Sequence, residues 1–239
     1  MAQERIASIL TIGTEIVDGD VCDINAWWLA RRLPRLGFRV QYLVTARDDI
    51  GEIVDILRFV HARSQRVFVT GGLGATPDDQ TREAVSNAFS RELLSCRLET
   101  QDRTQAPFEE VLLPAGARIL ENPVGGIAGF ALEGTYVFPG APSEMREIFR
   151  HITPELRVPQ VSRVYTHTLD LACAESELVA VFDDFVRRYP SVQLGSYPDY
   201  TPKLPRVRIV LKSRDAELLA AATSWIQDRL VTGEWVLSR

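Results

Sequence analysis

The sequence has few of the residues that form disulfides or bind zinc. Its three cysteines, Cys22, Cys96 and Cys173, are odd in number, lie far apart and form no Cys-x-x-Cys pair. This pattern predicts reduced thiols rather than a disulfide framework. The three histidines are also scattered along the chain, so the spacing of a zinc site is absent.

A long apolar run and an excess of positive charge are also missing. Near the N-terminus, the apolar run at residues 6–12 is too short for a signal peptide or a membrane span. The formal net charge is −5, and binding of nucleic acid without sequence preference needs Lys and Arg to neutralise phosphates. We therefore expect a cytoplasmic protein that binds neither membranes nor nucleic acid.

What the sequence does contain is an alternation of strand-like and helix-like segments joined by short loops. This alternation predicts an α/β fold, with a mostly parallel sheet covered by helices on both faces. The strands are predicted at residues 6–12, 38–44, 67–70, 117–120, 129–132 and 135–138. Helices are predicted to begin at Asn25, which would cap the first one, at Ile50, at Thr76 and near Pro142. Pro34 is expected to kink the first helix or to end it early.

A glycine-rich loop follows the third predicted strand. Thr70 ends that strand, and Gly71, Gly72 and Gly74 come within the next four positions. Glycine accepts positive φ and lets another group approach the backbone closely. A strand, a glycine loop and a helix N-terminus in this order can bind an anionic group through backbone amides.

Two adjacent carboxylates, Asp78 and Asp79, follow the predicted helix start at Thr76-Pro77. One interpretation is structural, because acidic residues in a first helical turn stabilise the helix by about 0.3–1 kcal/mol each. Thr76 and Asp79 also have the spacing of a capping arrangement. The other interpretation is functional: a hard divalent cation commonly bridges carboxylates to substrate phosphates. The glycine loop beside the two aspartates favours this second interpretation.

Polar residues also follow other predicted strands. Gly13, Thr14 and Glu15 follow the first strand, and Asp48-Asp49 follows the second. Ligands of parallel sheets bind outside the carboxyl ends of the strands, so these segments and the glycine loop are candidates for one shared site. A similar turn follows the strand at 135–138, where a rigid structural turn and a second anion-binding edge are equally open. Its residues are Pro139, Gly140, Pro142, Ser143 and Glu144.

The remaining segments give a coarser prediction. The helix after the glycine loop is predicted to reach about Leu94, and residues 95–110 are predicted to form a short helix or a loop. A proline-rich stretch places the domain boundary near residue 158, which gives domains 1–157 and 160–239. The second domain has the order β-α-β-β-α, with a further strand predicted at 235–237, and is a small α+β module. This order is KH-like, but the module has neither a GXXG clamp nor a basic face, so RNA binding is not expected.

Several motifs together resemble a known family. They are Thr11-Ile-Gly-Thr-Glu-Ile, Asn25-Ala, Thr70-Gly-Gly-Leu-Gly-Ala-Thr-Pro-Asp-Asp-Gln-Thr, Asn122-Pro-Val-Gly, Gly129-Phe and Phe138-Pro-Gly-Ala-Pro-Ser-Glu-Met. They resemble the molybdopterin-binding-like domain of the CinA family (competence/damage-inducible protein A), which also occurs in MoaB, MogA and FAD synthases. Glu175-Ser-Glu-Leu and Leu194-Gly-Ser-Tyr-Pro resemble the KH-like module that follows this domain in CinA. The short form without the deamidase domain is expected.

The resemblance implies a three-layer α/β/α fold and, in the CinA branch, metal-dependent hydrolysis of ADP-ribose or a related dinucleotide such as FAD. Asp79, Asp48 and Asp78 are then expected to be catalytic and to bind the divalent cation, Mg²⁺, Mn²⁺ or Co²⁺. The residues expected to contact the nucleotide or pterin are Gly13, Thr14, Glu15, Asn25, Thr70, Gly71, Gly72, Gly74, Thr76, Thr81, Asn122, Gly125, Pro139, Gly140, Pro142, Ser143 and Glu144.

Two further hypotheses stay open. Glu109 and Glu110 stand where CinA members carry a segment rich in Asn, Arg, Lys and Gln, and their charges would repel a diphosphate unless a metal intervenes. This favours a molybdopterin- or nucleotide-binding protein without hydrolysis. A third hypothesis is an oligomeric interaction module, since core packing or subunit contact is the favoured role of Trp27 and Trp28. A homo-oligomer, dimer or trimer, is expected.

Overall fold

The computed structural model describes residues 5–99, 108–157, 164–201 and 205–232. The chain divides into two compact units, Met1–Val161 and Ser162–Arg239. Across these described ranges, no helix combines the length and the apolarity that crossing a membrane requires. The strand predicted at 235–237 lies outside the described residues.

The first unit contains one mixed sheet and a separate two-stranded ribbon. Its helices are α1 (Thr14–Val17), α2 (Ile24–Arg32), α3 (Ile50–His61), α4 (Thr81–Ala88) and α5 (Pro142–Leu156). Its strands are β1 (Arg5–Ile12), β2 (Phe38–Ala46), β3 (Arg66–Thr70), β4 (Leu93–Glu99), β5 (Phe108–Pro114), β6 (Arg118–Leu120), β7 (Gly129–Leu132) and β8 (Thr135–Phe138). Among the described residues, the sheet has the order β2-β1-β3-β8-β7-β6, and β4 pairs with β5.

Both faces of the sheet are buried, as the alternation along β3 shows. Val67 and Val69 belong to a core cluster that includes residues of α3 and α4. Phe68, between them, belongs to a second cluster with residues of α2 and α5. Successive strand side chains point to opposite faces, so helices cover the sheet on both sides. The predicted three-layer α/β/α architecture is therefore confirmed.

The central strands are parallel and end at one edge of the sheet. β1 pairs in parallel with both β2 and β3, and β3 pairs in parallel with β8. β7 is antiparallel to β8 and to β6. The segments that follow β1, β2, β3 and β8 therefore start from the same edge, which we call the strand-exit edge.

Helix α2 departs from the prediction at its start and follows it at its end. The N-cap is Asp23, whose carboxylate accepts a hydrogen bond from the backbone amide of Ala26 at 2.8 Å. Asn25 lies inside the helix and does not cap it, so that prediction was wrong. Pro34 is the second residue of a 3-10 turn, Leu33–Leu36, in which its missing N–H is tolerated. The early end of the helix is thus confirmed.

The tryptophan pair divides between core and surface. Trp28 is buried and packs edge-on against Phe149 of α5, with ring centroids 5.3 Å apart. Trp27 is 56% exposed, with the Arg31 guanidinium 4.9 Å from its ring centroid. Only Trp28 has the core role that the sequence suggested for the pair.

The segment after the glycine loop was predicted wrongly. Helix α4 ends at Ala88 rather than near Leu94, and the region predicted as a helix or loop contains β4 and β5. These strands pair antiparallel, with Cys96 opposite Val111. Val111 and Leu113 pack toward the core while Leu112 is exposed. This inward and outward alternation favours a ribbon with one covered face over a helix.

Within its described residues, the second unit has a small antiparallel sheet and two α-helices. Its strands are β9 (Tyr165–Leu171), β10 (Gln193–Asp199) and β11 (Arg206–Ser213), and its helices are α6 (Val179–Arg188) and α7 (Ala216–Thr232). Along β11, Val207, Ile209 and Leu211 are buried, while the residues between them are more exposed. One face of this sheet therefore carries a core, and the predicted small α+β module is confirmed.

Candidate functional site

The glycine loop lies at the strand-exit edge and is held in a single conformation. Gly71 has φ +108°, and a Cβ atom there would lie 2.0 Å from the carbonyl oxygen of Ile12 at the end of β1. Its amide donates to the Phe138 carbonyl at 3.1 Å. Only glycine allows this approach, and through it the ends of β1, β3 and β8 are joined.

Helix α4 begins at Thr81, four residues after Pro77, the predicted first helical residue. The buried Thr81 hydroxyl donates to the Gly71 carbonyl at 2.8 Å, and its amide donates to the Gly72 carbonyl at 3.1 Å. These two bonds attach the first helical residue to the glycine loop. The preceding residues form a turn, in which the amide of Asp79 donates to the Thr76 carbonyl at 3.0 Å. The prediction of a helix start at Thr76-Pro77 was therefore wrong.

The carboxylate of Asp79 stabilises this turn. It accepts hydrogen bonds from the amide and the hydroxyl of Thr76, at 2.9 and 2.5 Å. The capping relation is thus the reverse of the predicted one, because the aspartate accepts and the threonine donates. A Cβ atom at Gly74 would lie 2.3 Å from Asp79 Oδ2, so the missing side chain lets the carboxylate reach the loop backbone.

The environment of Asp79 favours its ionised form. Partial burial raises the pKa of this carboxyl, but the hydrogen bond from the Thr76 side chain and those from the Gly74 and Thr76 amides outweigh that effect. The pKa therefore lies below the usual value for an aspartate. Asp78 is exposed, so the two adjacent aspartates have different surroundings.

Asp48 connects the ends of β1 and β2. Its Oδ2 atom accepts hydrogen bonds from the amide of Thr14 at 2.7 Å and from the Thr14 hydroxyl at 3.0 Å. The Asp48 amide in turn donates to the Thr14 hydroxyl at 3.1 Å. Glu15 is exposed, and its carboxylate lies against Gly13. In this arrangement Asp48 orients the turn that follows β1.

The three aspartates predicted to bind metal do not form a cluster. In the part of the chain that the structure describes, no three His, Cys, Asp or Glu side chains are placed to hold a metal ion. Asp48 is bonded to Thr14, Asp79 to Thr76, and Asp78 points to solvent. The donor set therefore fits a cation only if a ligand supplies further oxygens, as substrate phosphates commonly do for Mg²⁺.

Asn25 joins helix α2 to two strand exits. Its side-chain amide donates to the Thr70 hydroxyl at 3.1 Å and to the Gly140 carbonyl at 2.8 Å. Thr70 in turn donates to the Pro139 carbonyl at 3.0 Å. Both acceptors fix the orientation of the amide, and the buried Asn25 Oδ1 then has no hydrogen-bond donor among the described residues. These residues come together as the sequence suggested, although Asn25 does so from inside the helix.

Glu144 positions the loop at residues 122–127. Its Oε2 atom accepts hydrogen bonds from the Asn122 side chain at 2.9 Å and from the amide of Ile127 at 3.0 Å. The amide of Gly125 donates to the Asn122 carbonyl at 3.1 Å, which closes the turn. Pro142 starts α5, and Ser143 in the same helical turn is exposed. Asn122, Gly125 and Glu144 thus hold each other in place.

An open cavity of about 450 Å³ lies between the glycine loop and the β4–β5 ribbon. Leu73 and Pro77 line it from the loop side, Leu93 and Val111 from the ribbon, and Ile127 from the loop that Glu144 holds. Its charged lining residues are Asp79, Arg82, Glu83 and Glu110. This glycine-loop cavity has the volume of many small-molecule sites.

Sequence reasoning missed the ribbon side of this cavity. The missed lining residues include Leu93, Val111, Leu112 and Leu113. The alternation of inward and outward residues at 110–113 is the signal that could have identified them. Glu110 was singled out as a possible source of repulsion, and it does line the cavity.

Comparison with known proteins agrees with this geometry. Residues 8–158 match the family described as a probable molybdopterin binding domain, and residues 163–238 match the middle domain of FAD synthase. A CinA-like protein from a Geobacter species is 34% identical over 245 residues, which cover 93% of this chain and 58% of the relative. The chain belongs to the CinA family.

Other relatives extend over most of this CinA-family chain. A protein from Archaeoglobus fulgidus is 30% identical over 228 residues, covering 93% of this chain and 96% of the relative. The solved CinA structure from Thermoplasma acidophilum is 28% identical and covers 64% of this chain and 98% of its own, with a TM-score of 0.59. The Geobacter relative is much longer than this chain, so the activity of that whole protein does not transfer to it.

Proposed function

We propose that this chain binds a small phosphorylated pterin or nucleotide in the glycine-loop cavity. The observation that carries the proposal is the combination of a fixed glycine loop with a cavity that has apolar walls. The Arg82 side chain that lines the cavity suits the phosphate of such a ligand, and the apolar walls suit its planar ring. The two matching family descriptions name molybdopterin and FAD synthase, and both molybdopterin and FAD combine a fused ring with phosphate.

Hydrolysis of a diphosphate bond is the second candidate, and the ionised Asp79 favours it. Asp79, Glu83 and Glu110 line one cavity, so an anionic diphosphate there requires a cation. Asp79 would hold that cation together with oxygens of the ligand. A bound divalent cation supplies charge neutralisation and lowers the pKa of water. The Arg82 side chain would contact the phosphate, and the apolar walls would hold the planar ring.

Binding and turnover should be measured on the same preparation. The purified chain is titrated calorimetrically with FAD, ADP-ribose and a pterin phosphate, with and without Mg²⁺, Mn²⁺ or Co²⁺. Release of AMP is followed chromatographically in parallel. Saturable binding without AMP supports the binding protein, whereas metal-dependent release of AMP supports the pyrophosphatase. Absence of both would contradict the proposal.

Matched aspartate variants test whether ligand binding and turnover depend on the glycine-loop cavity. Asp79→Asn removes the carboxylate that lines it and is expected to weaken cation-dependent binding or turnover at least tenfold. Asp55→Asn on the exposed surface of α3 makes the same charge change and is expected to have no effect. Asp78→Asn tests the exposed neighbour, which was predicted to share the metal. Equal losses in the Asp79 and Asp55 variants would contradict a role for the cavity.

The proposal includes a homo-oligomer, supported by the exposed Trp27 with Ile24 and Val21 nearby in sequence, all at least 45% exposed. Exposed apolar side chains close together are typical of contact surfaces. Light scattering after size exclusion measures the mass, and Trp27→Ser is expected to lower it. A monomer in the wild-type chain would contradict the oligomer without affecting the ligand proposal.

A further inference from the structure

A second cavity lies where the 3-10 turn Leu33–Leu36 and helix α2 pack against α5. It has a volume of about 260 Å³, and its apolar wall includes Trp28 and Phe149. Four arginines line it: Arg32, Arg35, Arg150 and Arg157. No Asp or Glu is among the described lining residues, and we call this the arginine cavity.

The arginines of this cavity are incompletely neutralised by the protein. Arg150 forms an ion pair with Glu147 on its own helix. Nearby Glu155 is bonded to Arg118, at 2.7 Å. Within the described residues, Arg32, Arg35 and Arg157 have no ion pair, and the Arg32 guanidinium lies 5.0 Å from the centroid of the Trp28 ring. Like charges around one small cavity repel each other, and an anion between them would relieve that repulsion.

Helix dipoles account for only part of this cluster. Arg32 lies in the last turn of α2 and Arg157 caps the C-terminus of α5, where positive charge is favourable. Arg35 likewise lies in the last turn of the 3-10 helix that continues α2. Arg150, however, lies before the last turn of α5, so a helix dipole does not account for its place at this cavity.

We propose that the arginine cavity binds the phosphate groups of a small phosphorylated molecule, with diphosphate as the minimal ligand. A guanidinium group presents two parallel N–H donors that match phosphate oxygens. Four such groups suit a ligand with several negative charges, and the cavity is large enough to admit a diphosphate. The inference is independent of the glycine-loop cavity, where carboxylates line the wall.

Calorimetric titration of the full chain with inorganic pyrophosphate tests the proposal. Saturable binding that weakens strongly at high NaCl is expected. Titration with ADP shows whether the cavity accepts a diphosphate that is part of a nucleotide or only the free ion. Adenosine, which lacks phosphate, is expected not to bind this cavity. If pyrophosphate does not bind, or if citrate binds as tightly, the phosphate assignment is wrong.

Arginine variants test whether pyrophosphate binds at the arginine cavity. The double variant Arg35→Gln/Arg157→Gln is expected to weaken pyrophosphate binding at least tenfold, because charge-assisted hydrogen bonds are lost. The double lysine variant keeps the charge without the planar fork and is expected to be intermediate. A control, Arg187→Gln/Arg208→Gln, removes two ion-paired arginines of the second unit and is expected to change the affinity less than twofold.

Asp79→Asn distinguishes this site from the glycine-loop cavity. It is expected to leave pyrophosphate binding to the arginine cavity intact, whatever it does to the function proposed above. Unchanged binding in the Arg35→Gln/Arg157→Gln variant would overturn the inference. Loss of pyrophosphate binding in Asp79→Asn would also overturn it, because the anion would then belong to the glycine loop.

Discussion

The glycine-loop cavity and the arginine cavity, both in the first unit, are formed by different parts of the chain. The glycine-loop cavity depends on backbone: turns at the strand-exit edge, a glycine without space for a side chain, and carboxylates that bind amides of their own loop. The arginine cavity depends on long side chains that extend from α2, the 3-10 turn and α5. The loop backbone beside the first cavity therefore cannot change without affecting the fold, whereas the second cavity can lose its charge and leave the fold intact.

The largest effect is expected at Gly71. Gly71→Ala places a Cβ atom 2.0 Å from the Ile12 carbonyl and should destabilise the first unit by about 4 kcal/mol or more, since the backbone must move. Denaturant unfolding followed by circular dichroism measures the change. Gly19→Ala is the control: φ is +84° there but the space is open, so about 1–2 kcal/mol is expected. Equal costs at both positions would contradict the steric explanation.

A smaller effect is expected from two threonines that are register partners on neighbouring strands, Thr70 and Thr11. Thr70→Val removes the hydrogen bond to the Pro139 carbonyl and one of the two acceptors of the Asn25 amide, and should cost about 1–3 kcal/mol. The Thr11 hydroxyl is buried and has no hydrogen-bond partner in the described part of the chain, so Thr11→Val should be neutral or stabilising. The same unfolding measurement compares them, and a larger loss at Thr11 would refute the role assigned to Thr70.

The contribution of the Asp79 carboxylate to stability depends on pH and should be smaller still. The pKa of Asp79 is lower in the folded chain than in the unfolded chain, so its contribution is present above the unfolded value. That contribution disappears as pH falls through the folded pKa. Because the side chain is partly exposed, Asp79→Asn should cost less than about 1 kcal/mol near neutral pH.

Thermal melting of the wild type and of Asp79→Asn over a range of pH measures this contribution. The difference between the two melting temperatures should shrink at acid pH, where both side chains are neutral. A difference that is independent of pH would show that the charge of Asp79 does not stabilise the turn.

The smallest effect on stability is expected in the arginine cavity. Arg35→Gln and Arg157→Gln change exposed side chains without ion pairs among the described residues, so the free energy of unfolding should stay within about 0.5 kcal/mol. A slight increase in the free energy of unfolding is expected, because the substitutions relieve like-charge repulsion. A loss of more than about 1 kcal/mol would remove the contrast between the two cavities.

The sequence predicted the parts of the fold that local chemistry decides. The β-branched and aromatic residues of β3 predicted a buried strand, and the spacing of Ile53, Leu57 and Val60 predicted α3, in which all three are buried. The start of α4 was missed because Thr81 is fixed by hydrogen bonds to a loop ten residues earlier, and no local pattern shows that bond.

The sequence predicted which residues lie at the candidate site, but not which hydrogen bonds they form. Asp48, Asn25 and Thr70 lie at the strand-exit edge, as expected from parallel strands. That Asp48 is bonded to Thr14 depends on distances that spacing does not give. The spacing of Thr76 and Asp79 indicated that they pair, but not that the aspartate is the acceptor. The ribbon wall was missed because its alternation is short, and the arginine cavity because α2 and α5 are far apart in sequence.

The contact between Gly71 and the Ile12 carbonyl also bears on how relatives should be compared. A glycine there is required for the chain to fold, whether or not the cavity beside it binds anything. Invariance at this position across an alignment would therefore be no evidence of a shared reaction. Arg35 and Arg157 have no such structural constraint, so their retention across species would be the more informative record of a shared ligand.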